Sequence, residues 1–545
     1  MDWFWQIRRI LAAAFFAVAC VVFTACGNDA SSVTPTPTVS ITQNSTVTPR
    51  PTPSATTFAT RTSTVTLSPT LSATATATGT STVTPQPTST PTLSPIPAAE
   101  VDAYFGWRGI STRASGRFRT EQINGVWWLV TPEGNAYFSS GVNHVTSEGD
   151  YAPALGRSPY QDNLLARYGT TQAWSDAVVD RFERLGLTTI GAWSEYSLFA
   201  HRVPYTEILG FAGRAPAVPG LSAGVTGLRI RDYFDPSFES GAAVEADGAR
   251  SCVADPYCIG VFSDNELGWG VSIVQAVPYL DAYVRLPSGA PGKLALQQFF
   301  NDWYHGDLAA FNADWEQQLA SFDAVQALTT LPHSSTNEPT AQAAARRAFT
   351  VRIAQRYYSV VYAALRAVSP DLLILGSRFL AYTTLPEIAQ IAGSYVDVLS
   401  VNQYEVPSDI LAILRGSYGR YGYVATGDLF ADLDELYRLS NKPLLISETG
   451  FRAKDSGLPN TYPPFFPVYR TQTDRANGYA RYMEHVFARS YLVGVHWFEY
   501  VDQPAQGRFD GENNNWGIVD INDNEYTEVA QRIEAMNSSR FARPR

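Results

Sequence analysis

The sequence predicts an α/β protein: a (β/α)8 TIM barrel with an N-terminal β-hairpin plug, preceded by a disordered Thr/Pro linker. Three observations carry this. Short apolar β-type runs alternate with amphipathic helical stripes from residue 136 onward. A two-strand pattern joined by Asn124-Gly125 precedes the first of them. Residues 27–98 are almost wholly Thr, Pro, Ser, Ala and Val, a composition that buries too little apolar surface to fold. The chain therefore divides into 1–26, 27–98 and a globular region over 101–545.

Residues 1–26 read as a targeting segment. Arg8 and Arg9 precede an apolar run over 10–25, too short for a comfortable membrane span and suited to a signal peptide. The run ends in Thr24-Ala25-Cys26-Gly27, which resembles a bacterial lipobox. The expectation is an exported protein held at the cell surface by a lipid on Cys26, with 27–98 as a semi-extended stalk. An ordinary signal peptide cut near Ala25, giving a secreted protein, is the alternative.

The globular region opens with a hairpin, 118–123 and 126–130, on a type I′ turn. Barrel strands are expected at 136–142, at 187–193, and somewhere between 208 and 230. They continue at 259–262, 372–376, 396–401, 444–447 and 493–498. Helical stripes run through Trp174, Val178, Phe182 and Leu185, through Phe349, Ile353, Tyr357, Val361 and Leu365, and through Tyr479, Met483 and Phe487. The aromatic-rich stretch 270–339 reads as an inserted lid or subsite wall. Cys252 and Cys258 are the two cysteines outside the leader. In an exported chain they form a disulfide or remain two buried thiols.

A net charge of −11 argues against a nucleic-acid partner. Aromatic residues make up 13% of the chain, which suits a cleft where rings stack on sugars and equally suits a large core. No Cys/His set has metal-ligand spacing, so neither metal nor cofactor is implied.

Two glutamates carry the chemistry. Glu266 follows the fourth expected strand in Asp264-Asn265-Glu266, and Glu448 ends the seventh in Ile446-Ser447-Glu448. The C-terminal end of barrel strands is the catalytic face. Two carboxylates facing each other there can split a glycosidic bond, one as proton donor and one as nucleophile. A solvated strand cap is the ordinary alternative for either one alone. Asn265 is placed to bind a sugar 2-hydroxyl, and Arg378, Asn402, Gln403 and Tyr404 follow strands five and six. A Tyr404 hydroxyl bonded to Glu448 would hold it ionised. Trp497, on strand eight, would floor the subsite of the cleaved sugar.

Other features have two readings. Arg378 and Arg452 either orient the nucleophile or contact an acidic sugar, or they are structural partners of carboxylates. Asn143 and His144, after strand one, contact substrate or cap the strand. Asp510 and Glu512 form turns or touch the rim. Trp127 and Trp128 face opposite sides of their strand, and one or both belong to the core.

An acid/base on strand four, a nucleophile on strand seven, a Tyr after strand six and a Trp on strand eight resemble the clan A glycoside hydrolases. The strings 125–134, Phe262-Ser263-Asp264-Asn265-Glu266, His496-Trp497-Phe498, Asp502-Gln503-Pro504 and Asp510-Gly511-Glu512-Asn513 resemble the β-agarases of glycoside hydrolase family fifty and their relatives. That resemblance implies a retaining β-glycoside hydrolase, with Glu266 as acid/base and Glu448 as nucleophile. The substrate would be a β-linked polysaccharide or oligosaccharide, an agarose-type galactan favoured. Around the nucleophile the chain has Glu448-Thr449-Gly450 where the family pattern is Glu-Phe-His. Another β-glycanase or a transglycosylase would use the same residues. A catalytically dead carbohydrate-binding surface protein is the rival from another class, and such proteins usually lose a carboxylate that this chain keeps.

Overall fold

Eight parallel strands organise the computed structural model, which describes residues 100–223, 228–269, 279–332, 340–380, 384–407 and 428–542. The leader, Cys26 and the whole linker lie outside these. Ahead of the parallel sheet, β1 (Trp107–Ser111), β2 (Arg119–Ile123), β3 (Val126–Val130) and β4 (Asn135–Tyr137) form an antiparallel sheet in the order β1-β4-β3-β2. The β2–β3 turn has φ of 52° at Asn124 and 80° at Gly125, the left-handed pair that a type I′ turn requires.

The parallel strands are β5 (Ser139–Val142), β6 (Thr189–Ile190), β7 (Tyr205–Ile208), β8 (Cys258–Phe262), β9 (Phe379–Leu380), β10 (Leu399–Asn402), β11 (Leu444–Thr449) and β12 (Leu492–Trp497). Their order is β8-β7-β6-β5-β12-β11-β10-β9. Residues 373–376 join the two ends. Val261 donates to the Leu373 carbonyl and accepts from Leu375 N–H, while Ser400 N–H donates to the Leu375 carbonyl. An eight-stranded parallel sheet linked in this way is consistent with a TIM barrel.

Two apolar layers surround the sheet. Inside it, Ile259, Phe262, Leu373, Leu375, Val398, Leu445 and Val493 pack together, joined by Phe118, Leu129 and Tyr137 of the N-terminal segment. Outside it lie α1 (Thr171–Leu185), α2 (Thr340–Val368), α3 (Gln472–Phe487) and α4 (Thr527–Ser538). Helix α1 shows why these segments stop where they do. Thr170 caps its N-terminus by accepting from Ala173 N–H, and Gly186 closes it in the left-handed conformation.

Four expectations change. The fifth strand, expected at 372–376, is Phe379–Leu380, and 373–376 form only a bridging segment. The first strand divides at Phe138, so that 135–137 join the antiparallel sheet and only 139–142 enter the parallel one. The third strand is Tyr205–Ile208, and Ala217–Ala223 pairs antiparallel with Leu228–Arg231. Thr206 and Glu207 interrupt the apolar run that would have marked it. In the 279–332 part of the expected lid, Tyr279, Tyr283, Phe299, Phe300, Phe311 and Trp315 are buried in the main core. Those aromatic rings stabilise a helical layer around α2. Cys252 and Cys258 form a disulfide with Cα atoms 5.1 Å apart.

Candidate active site

The C-terminal ends of the strands bring Glu266 and Glu448 into one hydrogen-bonded group. Glu448, near the end of β11, is 5% exposed. Its Oε1 accepts from Arg378 Nη2 at 2.6 Å, and its Oε2 accepts from the Tyr404 hydroxyl at 2.9 Å. Glu266, just past β8, is half-buried and accepts from Asn402 Nδ2 at 2.9 Å. The same Asn402 amide reaches Asn265 Oδ1 at 3.1 Å, and Arg378 Nε donates to that oxygen at 2.8 Å. Ser447 in turn donates to Asn402 Oδ1 at 2.8 Å.

The two carboxylates therefore have opposite surroundings. Glu448 has a cation and a phenol directed at it. Burial, and then the Glu448 charge, push the Tyr404 phenol well above its usual range, so it stays a donor. Glu266 has one neutral amide. Burial first, and the negative charge of Glu448 second, push its carboxyl up to about 8. A protonated acid beside an ionised carboxylate is the arrangement that separates proton donor from nucleophile.

The backbone around the cleft is held in an uncommon conformation. His144 (φ 55°), Trp193 (φ 59°), Glu266 (φ 51°) and Arg378 (φ 53°) all follow strand ends in the left-handed region. Each costs about 1–3 kcal/mol, which the surrounding structure must offset. Glu266 N–H donates to the Arg378 carbonyl at 3.2 Å, so the two strained turns brace each other. Gly450, two residues past Glu448, has to be a glycine. A Cβ there would lie 2.5 Å from the Phe498 carbonyl oxygen and 2.9 Å from the Trp516 ring.

The structure assigns the expected residues as follows. Asn265, Asn402 and Tyr404 join the two glutamates. Arg378 does too, but it is fully buried and engaged by Glu448 and Asn265, so it positions Glu448 and does not reach out to a sugar. Its Nη1 makes no hydrogen bond. Its guanidinium lies between the Trp193 and Phe262 rings, 4.5 and 4.9 Å from their centroids. Arg452 donates to Asn514 and to the carbonyls of Pro463 and Phe466, a structural role. Asn143 caps strands, donating to the Ser447 carbonyl and accepting from Ala192 N–H. Trp128 is buried in the core, and Trp127 packs half-buried against it.

Trp497 is a correction. It is 3% exposed and packs against Phe451 and Tyr479 in the outer layer, with its indole N–H on the Trp516 carbonyl at 2.7 Å. Alternation along β12 explains this. His496 points into the barrel, 2.8 Å from Ser139 Oγ, so Trp497 must point out toward α3. Phe498, one residue on, clusters with Tyr404 and Trp516 and is the strand-eight aromatic beside the site.

His144 Nδ1 lies 2.6 Å from Glu499 Oε2. Gln503 Nε2 donates to both Glu499, at 2.9 Å, and Glu512, at 2.7 Å. Burial first, then the nearby Asp150, raise Glu499 to about 7. Burial lowers the His144 pKa, but the Glu499 bond and charge outweigh it and the net shift is upward. Among the described residues, His144, Asp150 and Glu499 are one of two groups with metal-ligand proximity. Here Arg508, 3.9 Å from Asp150 and 4.0 Å from Glu499, and His144 supply the balancing charge. The other group contains the bonded cysteines. Glu512 is thus a rim carboxylate held by Gln503 and Arg508, and Asp510 pairs with Arg508.

Trp193 and Phe498 were not identified as site residues from sequence. The one available signal was the aromatic immediately past an apolar strand.

The chain matches no family model. It is 29% identical over 476 residues to β-agarase A of Vibrio sp. (strain JT0107), covering 77% of this chain and 45% of that one. It is 28% identical over 498 residues to β-agarase B of the same strain, covering 80% and 49%. The crystal structure of an agarase, AgWH50C, superposes with a TM-score of 0.68 at 26% identity, over 82% of this chain and 68% of that one. The chain is homologous to these β-agarases, and it spans about half the length of the curated relatives it matches.

Proposed function

We propose that this chain is a retaining β-glycoside hydrolase acting on an agarose-type galactan. The observation that carries the reading is the unequal pairing of the two carboxylates. Arg378 and Tyr404 both donate to Glu448, while burial and the neighbouring Glu448 charge keep Glu266 protonated near neutral pH. Glu266 donates its proton to the leaving oxygen as Glu448 attacks the anomeric carbon. Once the glycosyl–enzyme forms, the Glu448 charge is gone. Glu266 then takes a proton from water, which releases the product. Asn265 accepts its two hydrogen bonds through Oδ1, so its Nδ2 is the donor available to a sugar hydroxyl. His144, oriented by Glu499, is a second polar contact at the rim. The agarose-type substrate rests on homology to proteins named β-agarases.

On a substrate with an activated leaving group, Glu266→Ala plus azide should give a β-glycosyl azide. Glu448→Ala plus azide should give the α-anomer. The same anomer from both variants would overturn the assignment, and release of reducing ends from some other glycan but not agarose would overturn the substrate.

Two architectural readings belong with this. The contact of Phe118 and Leu129 with Ile259, Leu373 and Val398 supports the hairpin as a plug for the N-terminal mouth of the barrel. Lipidation of Cys26, with 27–98 as stalk, would display the domain over 101–545 at the cell surface. Cys26→Ser should then release the protein from the membrane fraction. Unchanged fractionation would refute the anchor.

A further inference from the structure

A column of side chains stands within the barrel beneath Trp193. At its base is His496, which points inward from strand eight and meets the Phe262 ring edge-on, centroids 6.5 Å apart. The Arg378 guanidinium lies above Phe262, 4.9 Å from its centroid, and the Trp193 indole lies on the other side of that guanidinium at 4.5 Å. Phe498 closes one edge, its ring 6.2 Å from Trp193 at an interplanar angle of 82°. Trp193 follows β6, Arg378 lies between the bridging segment 373–376 and β9, and Phe498 follows β12. These three positions are spread around the barrel, so a side chain touching both of the others extends across its mouth.

Trp193 caps this column and is 37% exposed, unlike the large, fully buried rings beneath the sheet. One of its faces is occupied by the guanidinium whose Nη2 holds Glu448 at 2.6 Å. A ring placed on its open side would therefore lie beyond both the indole and the guanidinium from Glu448.

We propose that Trp193 is a stacking platform for a neutral hexopyranose ring in the cleft, outside the subsite of the cleaved bond, with Phe498 beside it. The class of ligand follows from chemistry. The aromatic face takes the C–H face of a sugar, best presented by a pyranose whose axial hydroxyl leaves the opposite face apolar. The adjacent cation is fully buried on the opposite face of the indole, so it does not meet a uronate or sulfated sugar on the open side. Stacking also acts on the site behind it, because the indole is one of the two π-faces that hold Arg378 against Glu448.

This inference rests on the glycoside hydrolase reading, and the test separates the two. Binding of a neutral agarose-derived hexasaccharide is measured by calorimetry in Glu448→Gln, which keeps the cleft and cannot turn over. Trp193→Leu in that background should weaken binding roughly tenfold or more, and Trp193→Phe should restore part of it. Thermal midpoints should stay within a few degrees of the parent, as expected for a partly exposed side chain. In the active enzyme, Trp193→Phe should raise KM more than it lowers kcat. If Glu448→Gln binds the hexasaccharide and Trp193→Leu binds it equally well, the platform is wrong and the functional reading stands. If Glu448→Gln binds none, the agarose reading that the platform depends on fails, and both must be withdrawn.

Discussion

Arg378 and Glu448 form a buried ion pair, Nη2 to Oε1 at 2.6 Å, from the turn just before β9 and from β11. The same guanidinium is fixed by Asn265 on strand four and by two aromatic faces. It thus sets the position of Glu448 relative to the strand that leads to Glu266. Removing it leaves a buried carboxylate without its cation. Arg378→Met should cost about 3–5 kcal/mol of stability in urea unfolding and should also lower kcat. Arg378→Lys keeps the charge but loses the forked reach to Asn265, so it should recover more stability than turnover. Unchanged kcat per folded molecule in Arg378→Met would contradict the positioning role.

Activity should fall on the alkaline side as Glu266 loses its proton, with a limb near pH 8. The stability sign follows from the same shift. The folded pKa lies above the unfolded one, so between about pH 4.5 and 8 the native state binds a proton that the unfolded chain does not. Stability from this group is full below that window and is lost as pH rises through it. Glu266→Gln should therefore lose stability less steeply with pH than the parent, while unactivated substrates turn over about 10²–10⁴-fold more slowly. Parallel curves of thermal midpoint against pH for the two proteins would show that Glu266 is not shifted upward.

Trp497→Ala should unfold the protein more easily without a selective effect on the site. The side chain is buried between β12 and α3 and donates to the Trp516 carbonyl. A loss of about 3–5 kcal/mol is expected for a buried Trp truncation. Denaturant titration paired with activity per folded molecule checks this. A large fall in kcat at unchanged stability would return Trp497 to the cleft.

The Cys252–Cys258 bond closes a short loop leading into β8, the strand that presents Glu266. In the chain-entropy picture, a loop of this length contributes about 2–3 kcal/mol. Cys252→Ser/Cys258→Ser should lower the thermal midpoint, and alkylation of unreduced protein should label neither cysteine. Two labelled thiols would refute the bond.

Much of the site is legible locally. Glu266 and Glu448 are recognised because each ends an apolar run, and strand ends define one face of a barrel. Tyr404 is found the same way, and its bond to Glu448 is the contact expected of it. Strand three is not legible, because Thr206 and Glu207 interrupt its apolar pattern. Trp497 is misread because position in the chain shows that a residue lies at a strand end but not which way it points.

By itself, the sequence determined the alternation of strands and helices over most of the sheet and the two carboxylates at strand ends. These follow from periodicity, turn chemistry and spacing over a few residues. Only the tertiary structure decided the rest: His496 inward and Trp497 outward, Arg378 between Trp193 and Phe262, and Glu499 on His144. Strand side chains alternate with period two, so a shift of one residue exchanges core for cleft. The partners that settle the orientation lie on strands far apart in the chain, and only the closed sheet brings them together.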